Sequence, residues 1–587
     1  MRTTASRLVA VCGVVLVVGM LPWLSNRDPA LSILRARSAE QEPTPEALEA
    51  IRRDLGLDAG PIRMFWDWLT GIASGNPGTS WNTGKPVLPG ALDALAVSLT
   101  LMGFAMVVAI LTAGLVVLPS MRAGLRGTPK RTAGGVAAAL TSLPEFLLAS
   151  VLVVLGAVWL SFPAYGWNGP EYAVLPALAL GLPAGGLIGR LLADAVAVTF
   201  TEGWVTTWTV AGFTRAQIAA AVLRRALTGI ASQIGLIMVA ITGGAVAVEK
   251  VFAIPGLGRT TLGDAQSQDL PALQIDILLL LAVSAALGIA AELVRRLLLG
   301  SALREKAMPI PAGVFHRSPR RWVVPSAAAS VLVIVVLVGL PRDGQVTRRE
   351  KFAAPSLTHP FGTDASGRDL LARVADGALR SIGLSLAVTV AALFIGVLLG
   401  LAPKASRGLV EVTNAAPPVV TGILIAAVWG PSAGGAAVAV LIVTWAPLAA
   451  HTAALVEEAR ARPYISILPT LGASNARILF GSIVPSVLPV VLRHAMIRLL
   501  GVALALAALG FLGLGPQPPT ADWGLILSDG VSAVERAPWV TAAPLASLIA
   551  LAVLAVSLSA ATSGRARQVP SSRQSTQEDA VHEHENR

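Results

Sequence analysis

Long apolar runs recur along this chain of 587 residues, and they constrain its fold more than any other feature. A helix that crosses a bilayer needs about 20 apolar residues, and a backbone in lipid must satisfy its polar groups internally. We therefore expect an all-α membrane protein of about 12 transmembrane helices. The predicted spans are 8–25, 92–118, 134–161, 173–199, 227–247, 273–294, 322–340, 379–402, 413–430, 432–450, 486–508 and 541–561.

The overall composition excludes an ordinary soluble domain. Hydrophobic residues make up 54% of the chain and charged residues only 13%, whereas charged residues make up about 25% of a soluble protein. The net charge of +11 could indicate nucleic-acid binding. Because Lys and Arg also gather in the cytoplasmic loops of membrane proteins, we interpret the charge that way and expect no nucleic-acid partner.

Basic residues orient the predicted spans across the membrane. The loop after the second span is basic and has no acid: Arg122, Arg126, Lys130 and Arg131. The segment 26–90 mixes both charges, which is typical of a long translocated segment. The sequence therefore predicts cytoplasmic termini and an outer segment 26–90. Within that segment we expect a short helix, capped by Thr44 and ended by Gly56.

The predicted spans divide into two groups of six, one in each half. We expect a first unit over 1–297, a basic cytoplasmic linker over 298–321, a second unit over 322–562 and a disordered cytoplasmic tail over 563–587. The first apolar run resembles a signal peptide, but no clear cleavage site follows it, so we expect a retained span.

Two polar gaps, 260 positions apart, share one pattern (Gly212 and Gly472 mark them). In each gap the glycine precedes a hydroxyl residue by two positions and an isoleucine by six: Thr214 and Ile218, and Ser474 and Ile478. Glycine can adopt the left-handed conformation that ends a helix, and a hydroxyl residue can cap the next helix. Each gap therefore predicts a helix–turn–helix segment, here termed an elbow. A single elbow is also typical of an ordinary cytoplasmic loop. Because the pattern occurs twice, it indicates a duplicated unit with a surface for a cytoplasmic partner.

With these elbows, the chain resembles the type I permeases of ABC importers, in the oligopeptide/dipeptide/nickel group. The resemblance covers about residues 20–562. It also rests on segments 28–30, 55–58, 175–180, 248–258, 359–364, 367–369, 511–515, 523–524 and 537–539. In that family a cytoplasmic loop with the pattern Glu-Ala-Ala-x3-Gly docks into a groove of the ATP-binding subunit. Here the Glu-Ala-Ala positions are 206–208 and 466–468, and neither holds an acid.

The resemblance implies that two six-helix type I permease units, usually separate subunits, are fused in this chain. It implies two ABC ATP-binding subunits that carry ATP and Mg, an extracytoplasmic substrate-binding protein, and a prokaryotic plasma membrane. This chain would bind no cofactor itself and would not be an enzyme. The coupling residues implied are Gly212, Thr214, Arg215 and Ile218 in the first elbow, and Gly472, Ser474, Arg477 and Ile478 in the second.

Several functions stay open at this point. Import of di- or oligopeptides is the leading interpretation, and an ABC importer for nickel or another small solute is an alternative. A transporter driven by an ion gradient is the rival class, since such folds also use repeats and place charges in mid-membrane. A structural or signalling membrane protein would fit the missing carboxylates if coupling had decayed.

No catalytic or metal site is predicted. The segment 78–85 superficially resembles a phosphate loop, but five residues separate its glycines and Pro86 follows its lysine. The six histidines form no ligand pair within a predicted span. Asp364 and Asp369 flank Arg368 and offer too few oxygens for calcium, which favours a structural turn.

Three ionisable residues fall in or near the predicted spans of the first unit. Arg190 and Asp194 are four positions apart and could pair on one helix face. Glu145 has no such neighbour, and charges within a bilayer are costly and often functional. We therefore predict that Glu145 faces the translocation path. The Gly/Pro-rich segments 252–258 and 511–515 predict re-entrant turns. The resemblance implies that they lie on the outer face, near where a binding protein would deliver substrate.

Overall fold

A computed structural model describes most of the chain, and the described part is helical with connecting turns. The described residues are 12–25, 30–31, 33–34, 42, 44–56, 60–128, 140, 144–153, 155–156, 162–163, 165–299, 322–345, 350–414 and 416–562. The predicted linker, from residue 300, and the predicted tail lie outside these ranges.

The first half contains ten helices within the described residues. They are α1 (12–24, with a break at 20), α2 (Pro45–Asp54), α3 (Pro61–Ala73), α4 (Val87–Leu125), α5 (Glu145–Leu152), α6 (Val174–Thr199), α7 (Gly203–Val210), α8 (Arg215–Val251), α9 (Leu257–Ser267) and α10 (Leu270–Leu299). The predicted outer helix is α2, where the Thr44 hydroxyl accepts from N of Ala47 at 3.3 Å and Gly56 follows with φ of +64°.

The second half repeats this order in its described residues. Its helices are α11 (Val323–Gly339), α12 (Leu370–Gly400), α13 (Pro403–Asn414), α14 (Pro418–Trp429), α15 (Ala433–Arg460), α16 (Pro463–Ser466), α17 (Asn475–Ile478), α18 (Val484–Leu512), α19 (Trp523–Val531) and α20 (Pro538–Thr562). A π-helical segment, Leu479–Ile483, joins α17 to α18.

Within the described residues each predicted span overlaps a helix, but not every helix is long enough to cross a bilayer. Within the described residues seven helices are long and apolar enough, and the pair α13 and α14, bent by 91°, could form an eighth. Pro417 and Pro418 cause this bend because proline cannot continue a helix. Helix α11 and the apolar part of α20 are shorter, and the predicted spans 8–25 and 134–161 run into residues outside the described ranges. The all-α membrane class is confirmed.

In each half, the first long helix packs closely against the helix that leads to the elbow. In the first half this pair is α4 and α6, where glycines on α6 remove the side chains that would separate the backbones. A Cβ at Gly185 would lie 2.5 Å from the carbonyl oxygen of Ala109. In the second half the pair is α12 and α15, and a Cβ at Gly400 would lie 2.8 Å from the carbonyl oxygen of Ala449. Small residues let membrane helices approach closely and gain dispersion contacts.

The two halves meet along a seam formed by α5 and α8 on one side and α14 and α18 on the other. The Lys250 ammonium donates a hydrogen bond to the carbonyl oxygen of Phe511 at 2.8 Å. The rings of Phe146 and Phe511 lie 5.4 Å apart between centroids. Gly243 of α8 faces Pro417, whose Cβ would be 3.0 Å from an added Cβ. These contacts join the two halves at residues far from the linker.

Candidate functional site

The first elbow has the geometry that its glycine and hydroxyl residues predict. Helix α7 ends before Gly212, which has φ of +82°. Thr214 then caps α8 in a capping box: its hydroxyl accepts from N of Gln217 at 3.3 Å, and the Gln217 side chain accepts from N of Thr214 at 2.9 Å. The reciprocal bonds satisfy backbone donors that a helix start leaves free.

The second elbow repeats the turn. Gly472 has φ of +81°, and the Ser474 hydroxyl accepts from N of Arg477 at 3.3 Å. Helix α17 begins there and continues through the π-helical segment into α18, so one helical run covers Asn475–Leu512. The capping geometry predicted for both elbows is confirmed.

The eight predicted coupling residues differ in exposure. Ile218 and Ile478 are only 5% and 8% exposed and pack inward, Ile218 near Val205 and Ile478 near Ile465. The other six lie at the surface: Gly212, Thr214, Arg215, Gly472, Ser474 and Arg477. The isoleucines therefore anchor each elbow to its unit, while the surface residues are available to a partner.

An aromatic stack in the first elbow was missed by the sequence reasoning. The rings of Trp208 and Phe213 stack at 4.4 Å with an interplanar angle of 17°, and Trp204 meets Trp208 edge-on at 5.4 Å. Trp204 donates to the Glu202 carboxylate at 2.7 Å, and Arg225 lies 3.4 Å from the same carboxylate. The sequence feature that could have indicated this contact is the spacing of four positions between Trp204 and Trp208, which puts them on one helix face. Trp208 occupies one of the Glu-Ala-Ala positions, so here that position braces the turn.

Glu145 lies at the seam between the halves. It is the first residue of α5, and its half-buried side chain rests on α8, where a Cβ at Gly244 would lie 3.2 Å from its Cγ and Cδ. The adjacent Gly243 faces Pro417 of the other half. In the described part of the chain no basic residue forms an ion pair with the Glu145 carboxylate. Arg190 and Asp194 are both half-buried on α6, and their pairing stays a prediction.

A buried carboxylate organises the turn over 252–258 of the first half. Glu249, at the end of α8, accepts from the Ser98 hydroxyl at 2.5 Å and from N of Arg259 at 3.0 Å. Ser98 in turn accepts from N of Leu257 at 2.8 Å. These bonds hold the start of α9 against α4 and α8. The predicted turn over 252–258 is therefore built around a side chain that comes from outside it.

In the second half, the carboxylate of Asp522 plays the corresponding part at the start of α19. Asp522 caps α19 and accepts from N of Gly524 at 2.9 Å and N of Leu525 at 3.2 Å. The Ser381 hydroxyl of α12 donates to the same carboxylate at 3.1 Å. In both halves, a serine on the first long helix and a buried carboxylate fix a short helix, α9 or α19, in place.

The residues flanking Arg368 form a structural turn, as predicted. Asp364 accepts from Nε of Arg368 at 2.9 Å and Nη1 of Arg373 at 2.5 Å. Asp369 accepts from Nδ1 of His359 at 2.9 Å and lies 3.3 Å from Arg342. Burial alone would raise the pKa of Asp364, but backbone N–H groups and the two guanidiniums outweigh it and hold the pKa below its ordinary value. Both carboxylates are neutralised by cations.

The loop over 78–86 is also structural. The Asp269 carboxylate accepts from N of Trp81 at 3.0 Å and from the Ser80 hydroxyl. Thr79 and Pro86 close the loop through an isolated β-bridge. Because the protein's own carboxylate occupies these donors, the resemblance to a phosphate loop carries no function.

Two histidines from different helices meet in the structure. His451 of α15 and His494 of α18 stack with their ring centroids 4.4 Å apart. Arg498 donates to Nε2 of His494 at 3.2 Å, so that nitrogen already has a partner. No group of three or more His, Cys, Asp or Glu that could hold a metal occurs among the described residues. The sequence could not show the pair because its members lie on different helices.

Comparison with known proteins now defines the class. The family of binding-protein-dependent transport system inner membrane components matches the chain twice, over residues 105–301 and 383–568. The chain belongs to this family and is a fusion of two type I permease units of an ABC importer, a multi-pass membrane protein. In this family ATP hydrolysis lies in separate subunits, so the chain is not itself an enzyme.

Three relatives illustrate the breadth of the family. The di/tripeptide transport system permease protein DppC of Pseudomonas aeruginosa is 34% identical over 206 residues, which are 34% of this chain and 68% of the relative. The metal-staphylopine import system permease protein CntB of Staphylococcus aureus is 29% identical over 290 residues, 49% of this chain and 92% of the relative. The dipeptide transport system permease protein DppC of Alkalihalophilus pseudofirmus is 33% identical over 203 residues, 33% of this chain and 66% of the relative.

Proposed function

We propose that this chain forms the whole translocation pathway of an ABC importer for di- or oligopeptides, with the path at the seam between its halves. The observation that carries the proposal is the pair of exposed elbows with matching caps, one in each half. Two of the relatives above are named for dipeptide or di/tripeptide transport, which supports peptides as cargo.

The partners follow from this proposal. Two ABC ATP-binding subunits, which carry ATP and Mg, would each receive one elbow, and this chain would bind no cofactor itself. An extracytoplasmic binding protein would deliver the substrate to the outer helices α9 and α19. Both termini would be cytoplasmic, and the membrane would be the plasma membrane of a prokaryote.

The proposed motion runs through continuous helices. Helix α8 has 37 residues and is about 55 Å long at 1.5 Å per residue. Its first residue adjoins the first elbow, and near its other end Lys250 contacts Phe511 across the seam. When the ATP-binding subunits close, they would move both elbows together and tilt α8 and α18 as rigid bodies. The seam would then open on one face and close on the other.

Glu145 is proposed to face the path. Its carboxylate lies beside the seam, next to Phe146, which contacts the second half through Phe511. Glu145→Gln should lower peptide uptake while ATP-binding subunits still co-purify. Equal uptake by wild type, Glu145→Gln and Glu145→Lys would rule out this role.

A second candidate is import of a metal chelate. It is favoured by the relative named for metal-staphylopine import, whose match covers nearly all of that protein. Uptake assays with labelled dipeptides and with nickel chelates, each with and without ATP, separate these two cargoes.

The first experiment compares two double variants in native membranes. Gly212→Val with Gly472→Val should distort both turns because a β-branched residue rarely adopts positive φ. Gly212→Asn with Gly472→Asn is the matched control, since Asn tolerates that conformation. We expect the wild type and the Asn variant to retain ATP-binding subunits and ATP-driven uptake, and the Val variant to lose both. Absence of any ATP-binding subunit from the wild type in several mild detergents would contradict the proposal.

A further inference from the structure

The exposed surfaces of the two elbows share a charge that differs from the family pattern. No Asp or Glu occurs over 203–224 or 461–483. The nearest acid before the first elbow, Glu202, is held by Trp204 and Arg225, and Glu458 before the second pairs with Arg462 at 3.2 Å. Each elbow therefore presents basic groups without a free acid of its own beside the turn.

Two arginines lie beside the turns themselves. Arg215 is the first residue of α8, and Arg477 is the third residue of the helical run Asn475–Leu512. Both are exposed, and within the described ranges neither forms an ion pair. A cation near the start of a helix is unfavourable because the backbone dipoles are positive there. Each of the two arginines therefore places a positive charge where the helix dipole makes that charge unfavourable.

Exposed apolar side chains also lie on the surface of each elbow. Val210 is 83% exposed two positions before Gly212, and Leu471 is 74% exposed one position before Gly472. Phe480 and Tyr464 add exposed apolar area to the second elbow at 67% and 57%. In both elbows an apolar tip therefore stands beside an arginine.

We propose that each elbow docks into an apolar groove with an acidic rim on its ATP-binding subunit. This inference rests on the proposed function and deepens it by naming the chemistry of the partner. A groove that receives the family's Glu-Ala-Ala carboxylate needs a cation, whereas this chain has the uncharged Thr206 and Ser466 at the glutamate positions and arginines nearby. The charge complementarity is therefore reversed, and opposite charges across an interface set partner choice and association rate.

The test uses the full chain in nanodiscs and the ATP-binding subunits that co-purify with it. Arg215→Glu with Arg477→Glu should weaken their association by about tenfold or more, since like charges across an interface are costly. Arg215→Lys with Arg477→Lys is the control that keeps the charge and should bind as the wild type does. Raising the salt should weaken wild-type association and not that of the Glu variant, because salt screens exposed charges.

Each outcome is decisive. Equal binding by wild type and Glu variant, with no dependence on salt, would overturn the acidic rim while leaving the ABC importer intact. If the Glu variant lost uptake only in liposomes of anionic lipid, with association unchanged, the arginines would contact lipid headgroups and the inference would fail. Failure of the wild-type chain to retain any ATP-binding subunit would overturn the proposed function and this inference together. A Glu variant that binds weakly and regains binding when an acidic rim residue of the subunit becomes Lys would support it directly.

Discussion

At the scale of single residues, buried carboxylates hold the ends of several helices in place. Glu249, Asp364 and Asp522 are at most 6% exposed, and each has several hydrogen-bond donors. A buried charge without partners is very costly, so each carboxylate depends on its hydrogen-bond donors. The buried donors in turn would lack an acceptor without the carboxylate. Removing one member should therefore disrupt more than one contact.

Asp364→Asn should destabilise the protein severely. Arg373, which is 2% exposed, would lose its carboxylate and keep a buried charge, which costs about 3–5 kcal/mol. Asp376→Asn is the control, because Asp376 is exposed and lies 3.9 Å from the exposed Arg380, a pair worth at most about 1 kcal/mol. Thermal unfolding in detergent measures both variants. Similar shifts for the two would contradict the buried network.

The lowered pKa of Asp364 gives this effect a pH dependence. Because the pKa in the folded state lies below its ordinary value, the stabilisation is present above that ordinary value. It is lost as the pH falls through the folded-state pKa. The wild type should therefore lose stability on acidification, and Asp364→Asn should lose less, measured by unfolding midpoints between neutral and acidic pH.

At the scale of elements, small residues and short outer helices decide how the helices pack. Gly185 brings α6 onto α4, while Gly103 of α4 faces open space. Helix α9 packs on α10, and Thr260 donates to Asp276 of α10 at 2.8 Å. The elements are therefore positioned by contacts that their own apolar runs do not specify.

Gly185→Val should separate α6 from α4. An added Cβ would meet the Ala109 carbonyl oxygen at 2.5 Å, and overpacking of this kind costs about 1–3 kcal/mol. Gly103→Val is the matched control within a span, with no atom near its added Cβ. We expect a lower unfolding midpoint for Gly185→Val only. An equal midpoint for both variants would show that the close approach is unimportant.

Helix α9 should loosen as the pH rises. Burial, together with the neighbouring Asp276 and Asp269, raises the pKa of Asp264 to about 8. Because this folded-state pKa lies above the ordinary value, stability is full at low pH and is lost as the pH rises through about 8. Hydrogen exchange of α9, corrected for intrinsic rates, should accelerate in the wild type as the pH rises from the ordinary value of 3.8 towards about 8, level off above it, and show no such acceleration in Asp264→Asn. Helix α4 serves as the internal reference.

At the scale of the whole molecule, two units are held together by their seam. Lys250 and Phe146 of the first half both contact Phe511 of the second. The family model also matches each half separately. A pathway between fused units would keep their ratio at one to one and remove an assembly step.

Cutting the chain in the linker should leave the two halves associated. A protease site inserted within 300–321 would be cleaved in the purified protein, and the halves should still co-migrate on gel filtration in mild detergent. Lys250→Met with Phe511→Ala weakens the seam and should promote separation after cleavage. Separation of the wild-type halves would show that the linker, and not the seam, joins them.

Residue patterns within short stretches of the sequence were enough to predict the all-α membrane class and the elbows. Apolar length determines that these segments are membrane helices, because lipid leaves the backbone no other partner. The caps at Thr214 and Ser474 and the positive φ at Gly212 and Gly472 depend on residues within a few positions of each other. The repetition of the elbows then indicated two units, which the family model confirms.

Only the tertiary structure decided the contacts between distant residues. Ser98 meets Glu249 across 151 positions, and His451 stacks on His494 from a different helix. The placement of Glu145 against Gly244 likewise depends on how α5 packs on α8. Such pairs depend on which faces the helices turn to each other, and that choice is made by close packing over the whole molecule. The apolar pattern of a membrane helix, which is hydrophobic on nearly every side, carries little information about it.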